Sequence, residues 1–335
     1  MAKYFEYDKD FVAELSKILA KSFDRTDYLA KISKTYTGVL SGDKVGIRPV
    51  SSFQDVGVAS CNPSYTSINS GSAATWDLAN LGLYKYLCFD DLDAEMKRAQ
   101  KLYDLESNEA AMFVMKDFAE RALTEALIAR SFFASKTASD NVTPGLDQIN
   151  GFLTQMLAQV SGGTADASQV VPIATNSKAW GKTGVNAVEV VENLIDAAPA
   201  SVKNSDNAVI IMTQALWDCL AYDLKINKGL YIESQWTALF GGLKETTYNG
   251  YRVVVISALD NIINQLQAGD VWYNKPLIGI FTTVDNLFIG SSSDEAKGID
   301  SVDIFNDKTA QVTRLVANFS LGALVPDPKG WALAY

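Results

Sequence analysis

The spacing of apolar residues changes period along the chain, and each change marks an element. After an acidic start, residues 8 to 35 place Phe11, Leu15, Ile18, Leu19 and Phe23 at helical spacing, continuing through Tyr28, Leu29 and Ile32. That spacing predicts an amphipathic helix or helix pair. From Gly38 to Thr75 it is lost: Val45 and Ile47 alternate as in a strand, Pro49 interrupts, and Ser60 to Thr75 is rich in Ser, Asn, Gly and Thr. An exposed, extended loop is expected there. Asp77 to Phe89 then sets Leu81, Leu83, Leu87 and Phe89 on one side and Tyr84, Tyr86 and Cys88 on the other. This is the period of a strand, and at about 3.3 Å per residue it reaches roughly 40 Å. Ordinary strands are shorter, so an arm projecting from a body is expected.

Ser107 to Ala134 carries the strongest helical signal, with Met115, Phe118, Ala122, Ala126, Ala129 and Phe133 in one stripe. At 1.5 Å per residue it predicts a rod of roughly 40 Å on which strands can pack. A polar break at Ser135 to Thr143 precedes Pro144 to Ala158, which should include a further helix, and Ser161 to Ser168 reads as a boundary or a surface loop. From Val185 the pattern alternates: helix near Ala187 to Ala197, strand at Ala208 to Met212, helix at Gln214 to Ile226, strand at Arg252 to Ser257. A compact α/β subdomain follows from that alternation. Pro276 to Ile289, Ser301 to Phe305 and Gln311 to Val325 return to β character, and in the last run Leu315, Phe319 and Leu321 alternate with Arg314, Asn318 and Ser320.

Composition narrows the function. At 335 residues and 48% hydrophobic the chain can bury a substantial core, divided more readily into two subdomains than one. The start has no basic flank followed by an apolar stretch, and no run approaches a membrane span, so an untargeted cytosolic product is expected. Cys61, Cys88 and Cys219 are far apart and form no Cys-x-x-Cys pair, which indicates neither a disulfide framework nor a structural zinc site. The formal net charge of -10 argues against tight nucleic-acid binding, which depends on lysines and arginines displacing counterions. Histidine is absent, removing the commonest acid-base group and metal ligand. Trp180-Gly-Lys-Thr183 lacks the upstream glycine of a phosphate loop, since position 176 is Asn. Asp90, Asp91, Asp93 and Glu95 lack the glycine and distal glutamate of a calcium loop and read more simply as acidic residues flanking a helix start. Asn141-Val-Thr143 and Asn318-Phe-Ser320 match a glycosylation pattern without a secretion signal.

The order of elements is amphipathic arm, extended loop with a long strand, long helix, α/β unit and β-rich return. It resembles the major capsid proteins of tailed bacteriophages with the Hong Kong 97 (HK97-like) fold. The resemblance implies an α+β capsid fold in which residues 1–37 are the N-arm and 38–89 the E-loop. Residues 90–184 and 275–335 would be the P domain with its spine helix, and 185–274 the A domain. Gly250-Tyr-Arg-Val-Val-Val-Ile-Ser-Ala258 is similar to a strand common in A domains. The implied function is that of a non-enzymatic subunit without cofactor or metal, self-assembling through hexamers and pentamers into an icosahedral shell around double-stranded DNA. The shell would enclose that DNA without sequence-specific binding.

The implied location is the virion capsid, assembled in the host bacterial cytoplasm without a membrane. Scaffolding, portal and decoration or auxiliary proteins are the implied partners. No extra N-terminal scaffolding segment is present, so a separate scaffolding protein is expected, and no crosslinking lysine, asparagine and glutamate can be aligned. Arg48, Tyr84, Lys85 and Tyr86, on the loop and its strand, are the expected intersubunit contacts. Alternatives are an encapsulin-like nanocompartment shell, a carboxylate-dependent enzyme using the acidic clusters near Asp90 and Asp294, and a phage tail or adhesion protein.

Overall fold

The structure, a computed structural model, describes residues 29–46, 73–137, 142–174, 176–177, 186–227, 237–239, 243–292, 299–307 and 309–335. The expected helical start over residues 8–28 and most of the expected loop lie outside those residues. The first half comprises α1 (Leu29–Ile32), β1 (Lys34–Tyr36), β2 (Lys44–Gly46), β3 (Ala73–Thr75), β4 (Ala79–Cys88), α2 (Phe89–Tyr103), α3 (Ser107–Phe133) and α4 (Phe152–Ser161). Then come β5 (Val170–Val171), α5 (Ala187–Ala197), α6 (Ala200–Lys203), β6 (Ala208–Met212), α7 (Gln214–Asn227), β7 (Thr237–Leu239), β8 (Leu243–Tyr248), β9 (Tyr251–Ile256) and α8 (Ser257–Gln265). The chain finishes with β10 (Gly279–Thr283), β11 (Phe288–Gly290), β12 (Ile299–Asp307), β13 (Val312–Leu324) and β14 (Trp331–Ala334).

Helix α3 occupies the segment its periodicity marks. Its start is fastened by Glu109, whose carboxylate accepts the Glu106 backbone N–H at 3.2 Å and so satisfies a donor that the helix leaves unpaired. Met115, Ala119, Leu123 and Leu127 are buried, and so are Ala111, Ile128 and Phe132 at other angles around the axis. The reason is that α2, α4, α8, β4 and β13 all pack on this helix. An element covered on several sides carries apolar residues around most of its circumference.

The end of α3 is set by contact with α4. The Phe132 and Phe152 rings meet edge to face at 5.4 Å, and the Gly151 N–H donates to the Ala134 carbonyl at 2.8 Å. A Cβ on Gly151 would lie 2.8 Å from the Phe132 carbonyl carbon and oxygen, so only glycine allows the backbones to approach this closely. Gly151→Val is expected to destabilise the protein by about 2–3 kcal/mol through overpacking. Gly46→Ala, where a Cβ meets nothing within 4 Å, should stay within about 0.5 kcal/mol. Denaturant unfolding followed by tryptophan fluorescence compares the two.

Two large sheets share this scaffold. The first runs β5-β14-β10-β6-β9-β8-β7, with β6 and β9 parallel and β10 antiparallel to β6. Every residue of β6 is buried, because the sheet is covered on both faces. Val209 and Ile211, with Val254, Ile256 and Ile280, join the core built on α3 and α8. Ile210 and Met212, with Val253, Val255 and Phe281, join a second core built on α5 and α7. One sheet thus divides two cores by the two-residue period of its strands. In the second sheet the 13-residue β13 is central: β4 pairs with it from Val312 to Leu321, β12 pairs on its other side, and β11 continues on to Leu324. Strand β1 adds to β11 in parallel.

Several expectations change. Helix was expected through residue 35, but Lys34–Tyr36 is strand β1: the Lys34 N–H donates to Leu287 O at 2.8 Å, and the Tyr36 ring packs 4.8 Å from Phe288. Ala73–Thr75, at the end of the expected loop, pairs with β2. The run from Pro276 to Ile289 splits between sheets, β10 joining β6 and β11 joining β13, with a 3-10 turn at Val284–Asn286 between them. Strand β14 follows the terminal Pro-Asp-Pro-Lys-Gly segment and lies inside the seven-stranded sheet. Its Trp331 is fully buried, with the indole N–H donating to Gln159 at 2.8 Å.

Candidate assembly surface

The side chains of β4, β13 and β12 alternate between two environments. Leu81, Leu83, Leu315, Phe319 and Ile304 are buried on the side of the core built around α3. On the opposite face Tyr84 is 71%, Tyr86 64% and Phe305 48% exposed. Register aligns these into cross-strand rows: Tyr86, Arg314 and Phe305 in one, and Tyr84, Val316 and Asp303 in the next. The Arg314 guanidinium donates to the Asp307 carboxylate at 2.9 and 3.1 Å. The Ala310 backbone N–H and then Arg314 hold the Asp307 carboxyl below its ordinary range. The Tyr84 ring lies over Gly82, where a Cβ would come within 2.6 Å of Cε2. Among the described residues, the outer edges of β4 and β12 pair with no other strand.

This is a polar-rimmed aromatic surface fixed on a rigid sheet. It offers ring faces for packing and phenol groups for hydrogen bonds, the combination enriched where protein surfaces meet. Of the four expected contact residues, Tyr84 and Tyr86 lie together on this face. Lys85 is also exposed but lines a groove between α2 and α3. Arg48 lies outside the described residues. Phe305 and Val316 were not singled out by sequence; alternation alone placed Arg314 on the polar side of its run, but only register sets it between Tyr86 and Phe305.

The acidic cluster resolves into helix chemistry. Asp90 and Asp91 occupy the first turn of α2, where the helix dipole favours negative charge. Asp93 pairs with Lys97 at 2.5 Å and Glu95 with Arg98 at 3.6 Å. Among the described residues no group of three or more His, Cys, Asp or Glu side chains could hold a metal ion, and no helix is long and apolar enough to cross a membrane. Asp294 and Trp180 to Thr183 lie outside the described residues.

No protein-family model matches the chain, and no curated protein matches it. Solved structures do. A chain of the satellite phage P4 procapsid structure, which includes the size determination (Sid) protein, matches with a TM-score of 0.50 at 13% identity, covering 96% of this chain and 98% of that one. A structure of Mycobacterium phage Ogopogo matches with a TM-score of 0.55 at 12% identity, over 91% and 90% of the two chains. An encapsulin complex from Synechococcus elongatus matches with a TM-score of 0.45 at 9% identity, covering 92% and 86%. The chain therefore has the HK97-like capsid fold, as the order of its elements implied.

Proposed function

We propose that this chain is the major capsid protein of a tailed bacteriophage, a structural subunit that self-assembles into an icosahedral shell around double-stranded DNA. The observation that carries the reading is the nearly end-to-end likeness to a chain of a phage procapsid structure, covering 96% and 98% of the two chains. In this reading residues 1–37 serve as the N-arm, 38–89 as the E-loop, 90–184 and 275–335 as the P domain, and 185–274 as the A domain. Strands β10 and β14, from the second P segment, carry the seven-stranded sheet across that junction. Tyr84 and Tyr86 make intersubunit contacts, with Lys85 and Arg48 contributing from the groove and the loop.

The net charge of -10 suits a wall that encloses DNA without gripping it. The work of such a protein lies in its repeated interfaces, with no chemical step, and its partners are further copies of itself with scaffolding, portal and decoration proteins. It assembles in the bacterial cytoplasm and ends in the virion capsid. Negative-stain electron microscopy of the full chain, alone and coexpressed with its gene neighbours, tests the reading. Closed shells, or capsomer rings that close when a partner is added, are expected; particles that stay monomeric or dimeric in both conditions would overturn it.

A further inference from the structure

We infer that two copies of this chain join along the outer edge of β4, antiparallel about a two-fold axis at Tyr84, so that β12-β13-β4 of one copy continues into β4-β13-β12 of the other. Strand β4 pairs with β13 over ten consecutive residues, Ala79 to Cys88, without a register shift. Among the described residues its backbone makes no other hydrogen bond, so alternate N–H and C=O groups stand unpaired along its outer side. Such an edge is a template for a further strand, and it is commonly blunted by charge, proline or a bulge. The other free edge of this sheet is blunted in that way: β12 shifts register between Ile299 and Ser301 and carries the exposed Asp303. Strand β4 has no proline and no bulge, and its one charged residue, Lys85, lines the groove between α2 and α3. The open edge is therefore the one that carries Tyr84 and Tyr86.

The outer face of β4 suits a second copy of itself. Asn80, Gly82, Tyr84, Tyr86 and Cys88 fall on one side by the two-residue period, and none is charged, so two such faces set side by side oppose no like charges. A two-fold axis perpendicular to the sheet keeps both tyrosine faces on the same side, which makes one continuous aromatic surface. Lys85 then selects the register. An axis at Lys85 sets two ammonium groups directly opposite each other, a destabilising pair. With the axis at Tyr84, Lys85 lies opposite Leu83 of the partner subunit, the two Tyr84 side chains meet, and Tyr86 covers Gly82 of the partner subunit. Aromatic cover of a strand glycine is a favourable cross-strand arrangement. An axis at Leu83 also separates the lysines, but it parts the two Tyr84 rings and sets Tyr86 against Asn80 of the partner subunit. The contact is isologous and uses the one β4 edge of each copy, so it closes at two.

This inference deepens the shell reading and rests on its assignment of Tyr84 and Tyr86 to an intersubunit contact. The register places Asn80 opposite Cys88 of the partner subunit, with Cβ atoms about 4.5–5.5 Å apart, close enough for a disulfide after a small adjustment. Within one chain the two positions lie eight strand residues, roughly 27 Å, apart and cannot join. To test it, full-length Asn80→Cys chains are oxidised under assembly conditions and the linked peptides are identified by mass spectrometry, with Asn80→Cys/Cys88→Ser chains as the background. We expect at least about tenfold more linked dimer from Asn80→Cys than from that double variant, joined through the introduced thiol and Cys88. Adding Tyr84→Lys should lower the yield at least about tenfold by opposing two ammonium groups at the axis, whereas Tyr84→Phe should retain it. Circular dichroism checks that each variant folds. Equal yields from Asn80→Cys and the double variant, links from the introduced thiol to Cys61 in place of Cys88, or a yield undiminished by Tyr84→Lys each overturn the inference. Electron microscopy of the same samples separates the two readings: linked pairs without particles leave the edge pairing standing and remove the shell, and particles without linked pairs do the reverse.

Discussion

Replacing Tyr84 and Tyr86 together by serine is expected to abolish closed particles while leaving the far-ultraviolet circular dichroism and thermal midpoint of the subunit unchanged. Both rings project from the outer face of β4 and are 71% and 64% exposed, so the folded subunit draws little stability from them. Their removal leaves Leu81 and Leu83 in the core and the ten-residue pairing with β13 intact. At an interface, a buried tyrosine can account for 2 kcal/mol or more, about thirtyfold in an association constant. A shell repeats the loss at every copy, so assembly should fail cooperatively. Light scattering across a concentration series measures it. Shells of normal size and yield from the double variant would remove this face from the interface.

Asp270→Ala should have the largest effect on the subunit itself. Asp270 is buried, and its carboxylate accepts the backbone N–H groups of Val142, Thr143 (3.0 Å) and Gln267 (2.8 Å) together with the Thr143 hydroxyl. It therefore ties the segment after α3 to the segment after α8. Alanine leaves these donors without an acceptor, at an expected loss of about 3 kcal/mol. Burial by itself would raise the Asp270 pKa, but the Thr143 hydroxyl and the backbone donors outweigh it and hold the carboxyl below its ordinary value. The sign follows: its contribution is present above the unfolded value of about 3.9 and is lost as pH falls through the lower folded value. Denaturant titrations at neutral and acid pH should show the wild type losing stability on the acid side. Asp270→Asn should lose part of that dependence, and an unchanged acid profile would remove Asp270 as its source.

The elements legible in sequence are those whose period is long and uninterrupted. Helix α3 differs from its expected span by one residue, and α5 and β6 match theirs, because a helical or strand repeat reports the backbone's own geometry. The alternation that put Tyr84 and Tyr86 opposite Leu81 and Leu83 is likewise a local property of one strand. Helix α8 was not delimited, since its nine residues directly follow β9 and its apolar positions merge with those of the strand.

The amino-acid sequence by itself determined the long helix, the alternating α/β stretch, the tyrosine-bearing strand and the order that resembles a capsid subunit. Tertiary structure alone decided the destinations of the short apolar runs: β10 and β11 lie five residues apart and enter different sheets, and β14 joins strands far from it in sequence. It also decided that Arg314 and Phe305 complete the tyrosine face, and that α2 and α3 leave a groove between them. The physical reason is that period follows from local stereochemistry, whereas a strand's partner is chosen by burial and hydrogen bonding against the whole chain.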